Sequence, residues 1–124
     1  MKLVSKFIKL IKLIKNKKTR KGLLSNIAAN IELEDLVKDL KAEIVIDVGS
    51  NKGQFLILTE NFFECKKIYS FEPIEEFFEM QKNFFKYKNN INFFNFFKKR
   101  KKNYKKSVLK ILYQPKVFIF NLNY

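Results

Sequence analysis

A chain of 124 residues accommodates one domain of ordinary size, and 47% apolar residues are enough to pack a core. With one cysteine, Cys65, and no histidine, it excludes an internal disulfide framework, a Cys/His zinc site and any histidine-dependent acyl-transfer triad. The net charge of +14 is unevenly placed: residues 1–30 carry nine Lys/Arg, residues 91–124 carry nine more, and all twelve acids lie in residues 31–90 with eight lysines.

Only that middle part has the mixed-sign surface of an ordinary soluble domain. Three regions are therefore expected: a basic helix and connector at 1–22, a domain at 23–96 and a basic tail at 97–124. The lone thiol fits a reducing, cytoplasmic setting.

Residues Leu3 to Ile14 read as an amphipathic helix. Leu3, Val4, Phe7, Ile8, Leu10, Ile11 and Ile14 share one broad face, while Lys2, Lys6, Lys9 and Lys12 lie opposite and Leu13 falls off the apolar side. The lysines interrupt every apolar run, so the segment is neither a membrane span nor a signal-peptide core. Such a stripe ordinarily packs on its own domain or a partner subunit; peripheral contact of residues 3–14 with an anionic membrane is the alternative. Asn16 to Gly22 reads as a polar connector, and Leu23 to Leu40 as a second helix.

Strand and helix signals then alternate. Ile44 to Val48 is β-branched and almost wholly apolar, as a strand buried on both faces should be. Gln54 to Phe63 has helical periodicity, Lys67 to Phe71 is the next strand, Glu75 to Lys86 a helix with acids in its first turn, and Ile91 to Phe96 a third strand. This order predicts a parallel α/β sheet with right-handed crossovers, one βαβαβ half of a doubly wound fold preceded by helices. Phe62, Phe63, Phe77, Phe78, Phe84 and Phe85 are expected in helix packing rather than as base-stacking platforms.

Two short strings carry the chemistry. Asp47-Val48-Gly49-Ser50-Asn51-Lys52-Gly53 sets a tight turn between a buried strand and a helix. Gly49 allows a sharp bend and a close backbone approach to a ligand, and Gly53 is expected to leave amide donors open at the helix start. Asp47 supplies negative charge where a cationic ligand group can sit. The spacing is neither G-x-G-x-x-G nor a P-loop, so a dinucleotide pyrophosphate and a nucleoside triphosphate both fit poorly. The second string, Phe71-Glu72-Pro73, closes the next strand, 23 residues after Gly49. That is near the spacing at which an acid reaches ribose hydroxyls.

Together these strings, over roughly residues 20–96, resemble the FkbM family of S-adenosylmethionine-dependent methyltransferases. The resemblance implies a Rossmann-like class I methyltransferase fold, present here only in part, and O-methylation of a sugar or another hydroxylated metabolite. It implies S-adenosyl-L-methionine as cofactor, with Asp47, Gly49, Ser50, Asn51 and Gly53 at its methionine end and Glu72 on its ribose. Asn95 corresponds to an asparagine that family members place near the adenine. No metal is implied, the methyl acceptor is an unspecified small molecule, and no catalytic base is identifiable.

From Phe97 onward the family pattern fails. The acid-free block Lys98-Lys99-Arg100-Lys101-Lys102 leads to Val108–Tyr113 and Val117–Leu122, which are apolar enough for strands but lack an intervening helix. A truncated or frame-shifted second half is expected, leaving three strands and little or no activity. The rival reading is a non-enzymatic basic protein whose ends bind an anionic membrane or nucleic acid; no specific nucleic acid is expected.

Overall fold

The computed structural model describes residues 2–39, 41–62, 65–95 and 117–121. Its elements are α1 (Lys2–Lys15), α2 (Lys17–Leu24), a 3-10 turn (Ile31–Leu33) running into α3 (Glu34–Val37), β1 (Ile44–Val48), α4 (Gln54–Phe62), β2 (Lys67–Phe71), α5 (Glu75–Phe84), β3 (Ile91–Phe94) and β4 (Val117–Asn121). All four strands are parallel, in the order β3-β2-β1-β4. This is the α/β arrangement of a doubly wound sheet, in which strand order reverses beside β1.

The fourth strand departs from the three-stranded expectation. Val117 to Asn121 pairs in parallel along the whole of β1, with Asp47 opposite Phe120 and Val48 opposite Asn121. Its β-branched, apolar sequence meets the needs of a strand beside β1, and β1 is thereby paired on both edges. The strand candidate at Val108–Tyr113 and the basic block before it lie outside the described residues.

The main core lies on one face of the sheet. Val45, Ile68 and Ile91, one from each of three strands, meet α4, whose Phe55, Leu56, Ile57 and Leu58 are all buried. Such complete burial requires cover on two sides, and α2 and α3 supply the outer layer. A smaller cluster of Ile44, Ile46 and Phe71 forms on the opposite face, with Phe94 stacked on Phe71 at 4.9 Å. The alternation along β1 and β2 thus divides their side chains between two apolar environments.

The N-terminal helices differ from expectation in three ways. First, the supposed connector is helical. Asn16 Oδ1 accepts from the amides of Lys18 and Thr19, capping α2, and the buried Thr19 hydroxyl donates to the Leu13 carbonyl at 2.7 Å. The 22/23 boundary therefore falls inside a helix.

Second, the supposed helix from Leu23 to Leu40 is interrupted after Leu24. Asn26 takes a left-handed φ of 61°, its amide donates to Leu23 O, and the amide of Ile27 donates to Gly22 O at 2.8 Å. This pair of bonds is a Schellman stop, with asparagine in the place glycine usually holds and the buried Ile27 as its apolar anchor.

Third, α1 does not bury its broad stripe. Leu13, on the lysine side, is the residue it sinks into the core, and Lys9 pairs with Glu32 at 2.8 Å on that same side. The stripe itself faces outward.

Candidate donor-binding cleft

The carboxyl ends of the first three strands finish in step. Val48 is opposite Phe71, and Phe71 is opposite Phe94, so the next residues, Gly49, Glu72 and Asn95, follow one another along the sheet edge. The Gly49 amide donates to Phe71 O at 2.9 Å and the Glu72 amide to Phe94 O at 3.0 Å, extending the ladder past the strands. The glycine bend and the carboxylate are thus brought together on adjacent parallel strands, as the two sequence strings require.

The glycine turn has an unusual backbone demand. Gly49, Asn51 and Gly53 have φ of 72°, 52° and 91°. Three left-handed residues at alternate positions explain the G-x-N-x-G spacing, since asparagine tolerates this region better than other side-chain-bearing residues. Gly53 is also hemmed in: a Cβ there would lie 3.0 Å from Phe85 and 3.2 Å from Gln81. The turn is pressed against the end of α5.

Several of the turn's amides are engaged within the protein. Gly49 and Ser50 both donate to Phe71 O, Gly53 donates to Ser50 O, and Asn51 donates to Glu72 Oε2 at 2.6 Å. The other Glu72 oxygen accepts from the Ile74 amide at 2.7 Å. The buried Glu72 therefore splints the turn to the start of α5. A carboxylate has about four lone-pair sites, so each oxygen retains one for a ligand hydroxyl.

Asp47 is 2% exposed, and its Oδ2 has no hydrogen-bond partner within the protein. Burial, reinforced by the negative charge of Glu72, pushes its carboxyl up to about 8. A buried oxygen without a partner is costly, and a cationic or proton-bearing ligand group removes that cost. Glu75, which accepts from Asn95 at 3.1 Å, adds a third acid at the same edge. The Lys52 ammonium lies over the Phe77 ring at 5.8 Å. An edge dominated by carboxylates repels phosphate and favours a cation. Among the described residues, no group of His, Cys, Asp and Glu is arranged to hold a metal ion.

The structure adds two residues, Ser70 and Gln81, that neither sequence string contains. Gln81 lies on the buried side of α5 with Phe78 and Phe85, and its side chain joins the Ser50 and Ser70 hydroxyls and the Asn51 carbonyl. Ser70 also donates to Ser50 at 2.7 Å. The Ser50 side chain is thus committed to this interior network and fixes the shape of the turn. The available signal was a glutamine on an otherwise phenylalanine-rich helix stripe.

No family model matches the sequence, and no curated protein sequence matches it significantly. Among solved structures it is similar to a phosphoethanolamine N-methyltransferase of Haemonchus contortus, solved with phosphoethanolamine and S-adenosylhomocysteine (24% identity, TM-score 0.42, 51% of this chain and 14% of that one). It is similar to a SAM-dependent methyltransferase of Aquifex aeolicus (21%, 0.42, 64% and 47%). A dimethyladenosine transferase of Plasmodium falciparum also matches (15%, 0.42, 74% and 40%). The chain thus spans less than half the length of each of these three proteins.

Proposed function

We propose that this chain binds S-adenosyl-L-methionine at the carboxyl ends of β1 and β2 and forms the donor-binding part of a methyltransferase. The observation that carries the reading is the buried, unpartnered Asp47 oxygen beside a glycine bend that Glu72 splints. An adenosyl amino acid suits this arrangement, being cationic at the sulfonium and ammonium groups and bearing a ribose diol. Asp47 and the 49–53 turn would hold its methionine end. Glu72 would accept from the ribose hydroxyls through its remaining lone pairs, and Asn95 would border the adenine.

The donor, when bound, supplies a methyl group on positively charged sulfur. The protein's own contribution is orientation and electrostatics: Glu72 and the Ser50–Ser70–Gln81 network hold the turn rigid, and the carboxylates stabilise positive charge. The finer reading, an FkbM-like enzyme that methylates a hydroxyl of a sugar or related metabolite, rests on the turn motif and on Phe71-Glu72-Pro73.

Calorimetric titration of the full chain with S-adenosylmethionine and S-adenosylhomocysteine tests the proposal. Saturable binding is expected, weakened at least about tenfold in Glu72→Ala and in Asp47→Asn. Equal heats from the wild type and both variants would remove these carboxylates from the site.

A further inference from the structure

The outward stripe of α1 is the largest feature that the cleft does not use. Leu3, Val4, Phe7 and Ile8 are 82%, 63%, 64% and 52% exposed, and Leu10, Ile11 and Ile14 are 42%, 40% and 46% exposed. At 100° per residue they cover an arc of about 160°, with Phe7 and Ile11 near its centre. The domain grips the helix from behind: Leu13 is buried and Lys9 is paired with Glu32 on the opposite side. The stripe therefore cannot turn inward without breaking those contacts.

Charge identifies the occupant. No acid occurs before Glu32, whereas residues 1–30 hold nine Lys/Arg. Lys6, Lys9 and Lys12 line an open groove of about 330 Å³ between α1 and Ile31–Glu32, beside Ile8 of the stripe. A second copy docking stripe to stripe would set two acid-free stretches, each with nine Lys/Arg, against each other. Nucleic acid would match the charge but offers nothing to seven outward apolar side chains. An anionic lipid surface meets both demands, taking the stripe among acyl chains and the flanking ammonium groups among phosphates. Among the described residues no helix is long and apolar enough to cross a membrane, which fits a helix that lies in the surface.

We propose that α1 docks this protein on anionic membrane surfaces, its Leu3–Ile14 stripe inserted parallel to the bilayer and Lys6 and Lys12, which border the stripe, on lipid phosphates. The helix is about 21 Å long, and the domain would hang from its lysine side through Leu13. The proposal stands apart from the donor cleft, so either can fail alone.

Vesicle flotation of the full chain tests it, using phosphatidylcholine vesicles with and without about one third phosphatidylglycerol. Binding is expected on the anionic vesicles, decreasing steeply from about 0.05 to 0.5 M salt. Phe7→Glu with Ile11→Glu should reduce it at least about tenfold, and Lys6→Gln about fivefold. These side chains are already exposed, and circular dichroism melts of each variant confirm the fold. Failure to float, flotation that ignores anionic lipid, or equal flotation of wild type and the double variant overturns the proposal. Sedimentation velocity supplies the other arm: a dimer abolished by the same double substitution, without vesicle binding, assigns the stripe to a second copy instead.

Discussion

The amide of Asn51 donates to Glu72 Oε2 across 2.6 Å, joining the left-handed centre of the glycine turn to the strand end beside it. One carboxylate thereby ties the turn to the neighbouring strand. Its second oxygen is bound to the Ile74 amide, so both ends of the tie are main-chain donors.

Glu72→Gln places an amide NH₂ against one of two backbone N–H groups, where an acceptor is needed. We expect a loss of about 1–3 kcal/mol in urea unfolding, with the cleft disordered before the core. An unchanged midpoint would show that the tie contributes nothing to stability.

Asp47 makes a pH prediction. Below about pH 4 its carboxyl is protonated in both the folded and unfolded chains. Between there and about 8 the unfolded chain ionises while the buried group keeps its proton, so the folded state binds more protons and stability falls as pH rises. The slope is at most about 1.4 kcal/mol per pH unit, and the effect levels off above about pH 8. Asp47→Asn should flatten this part of the profile, read as the difference between the two proteins' unfolding midpoints. A cationic ligand favours the ionised form, so donor binding should strengthen from pH 6 to pH 8 in the wild type and stay level in Asp47→Asn.

Gln81→Leu strands the Ser50 and Ser70 hydroxyls in the interior. A cost of about 1–3 kcal/mol is expected, because the partners keep their desolvation penalty after losing their bonds. Adding Ser70→Ala to Gln81→Leu should recover part of it. If the two substitutions instead cost the sum of their separate effects, the network is not cooperative.

Much of this was legible in the sequence for reasons visible at single residues. β1 and β2 begin and end where expected because a β-branched apolar run stops at Gly49, and an alternating one with Ile68, Tyr69 and Phe71 stops at Glu72-Pro73. α4 and α5 agree to within two residues, α5 through its amphipathic period and α4 through an apolar run of helical length. The turn and Glu72 could be paired because parallel neighbours share an edge. The missed parts have equally local causes. Lys17 to Lys21 looks like a connector because its charges conceal Asn16 as a cap and Thr19 as a buried contact. Asn26 ends α2 in a conformation that a run of apolar residues does not announce. Leu13 became the anchor of α1 because the domain offers it a pocket, and the helix period alone cannot say which neighbour is present. β4 is legible as a strand in its own residues, but its place beside β1 is not, because no crossover helix is evident in the sequence before it.

Gly49, Glu72 and Asn95 are spaced 23 and 23 residues apart, so two crossovers of equal chain length land on one sheet edge. A slip of β2 by a single residue against β1 would displace Glu72 by about 3.3 Å. The same slip would exchange Ile68 and Phe71 between the two apolar clusters and turn the exposed Lys67 toward the main core. The placement of Glu72 beside the glycine turn is thereby guarded by side-chain sorting several residues away, and any misregistered chain is rejected by its own interior.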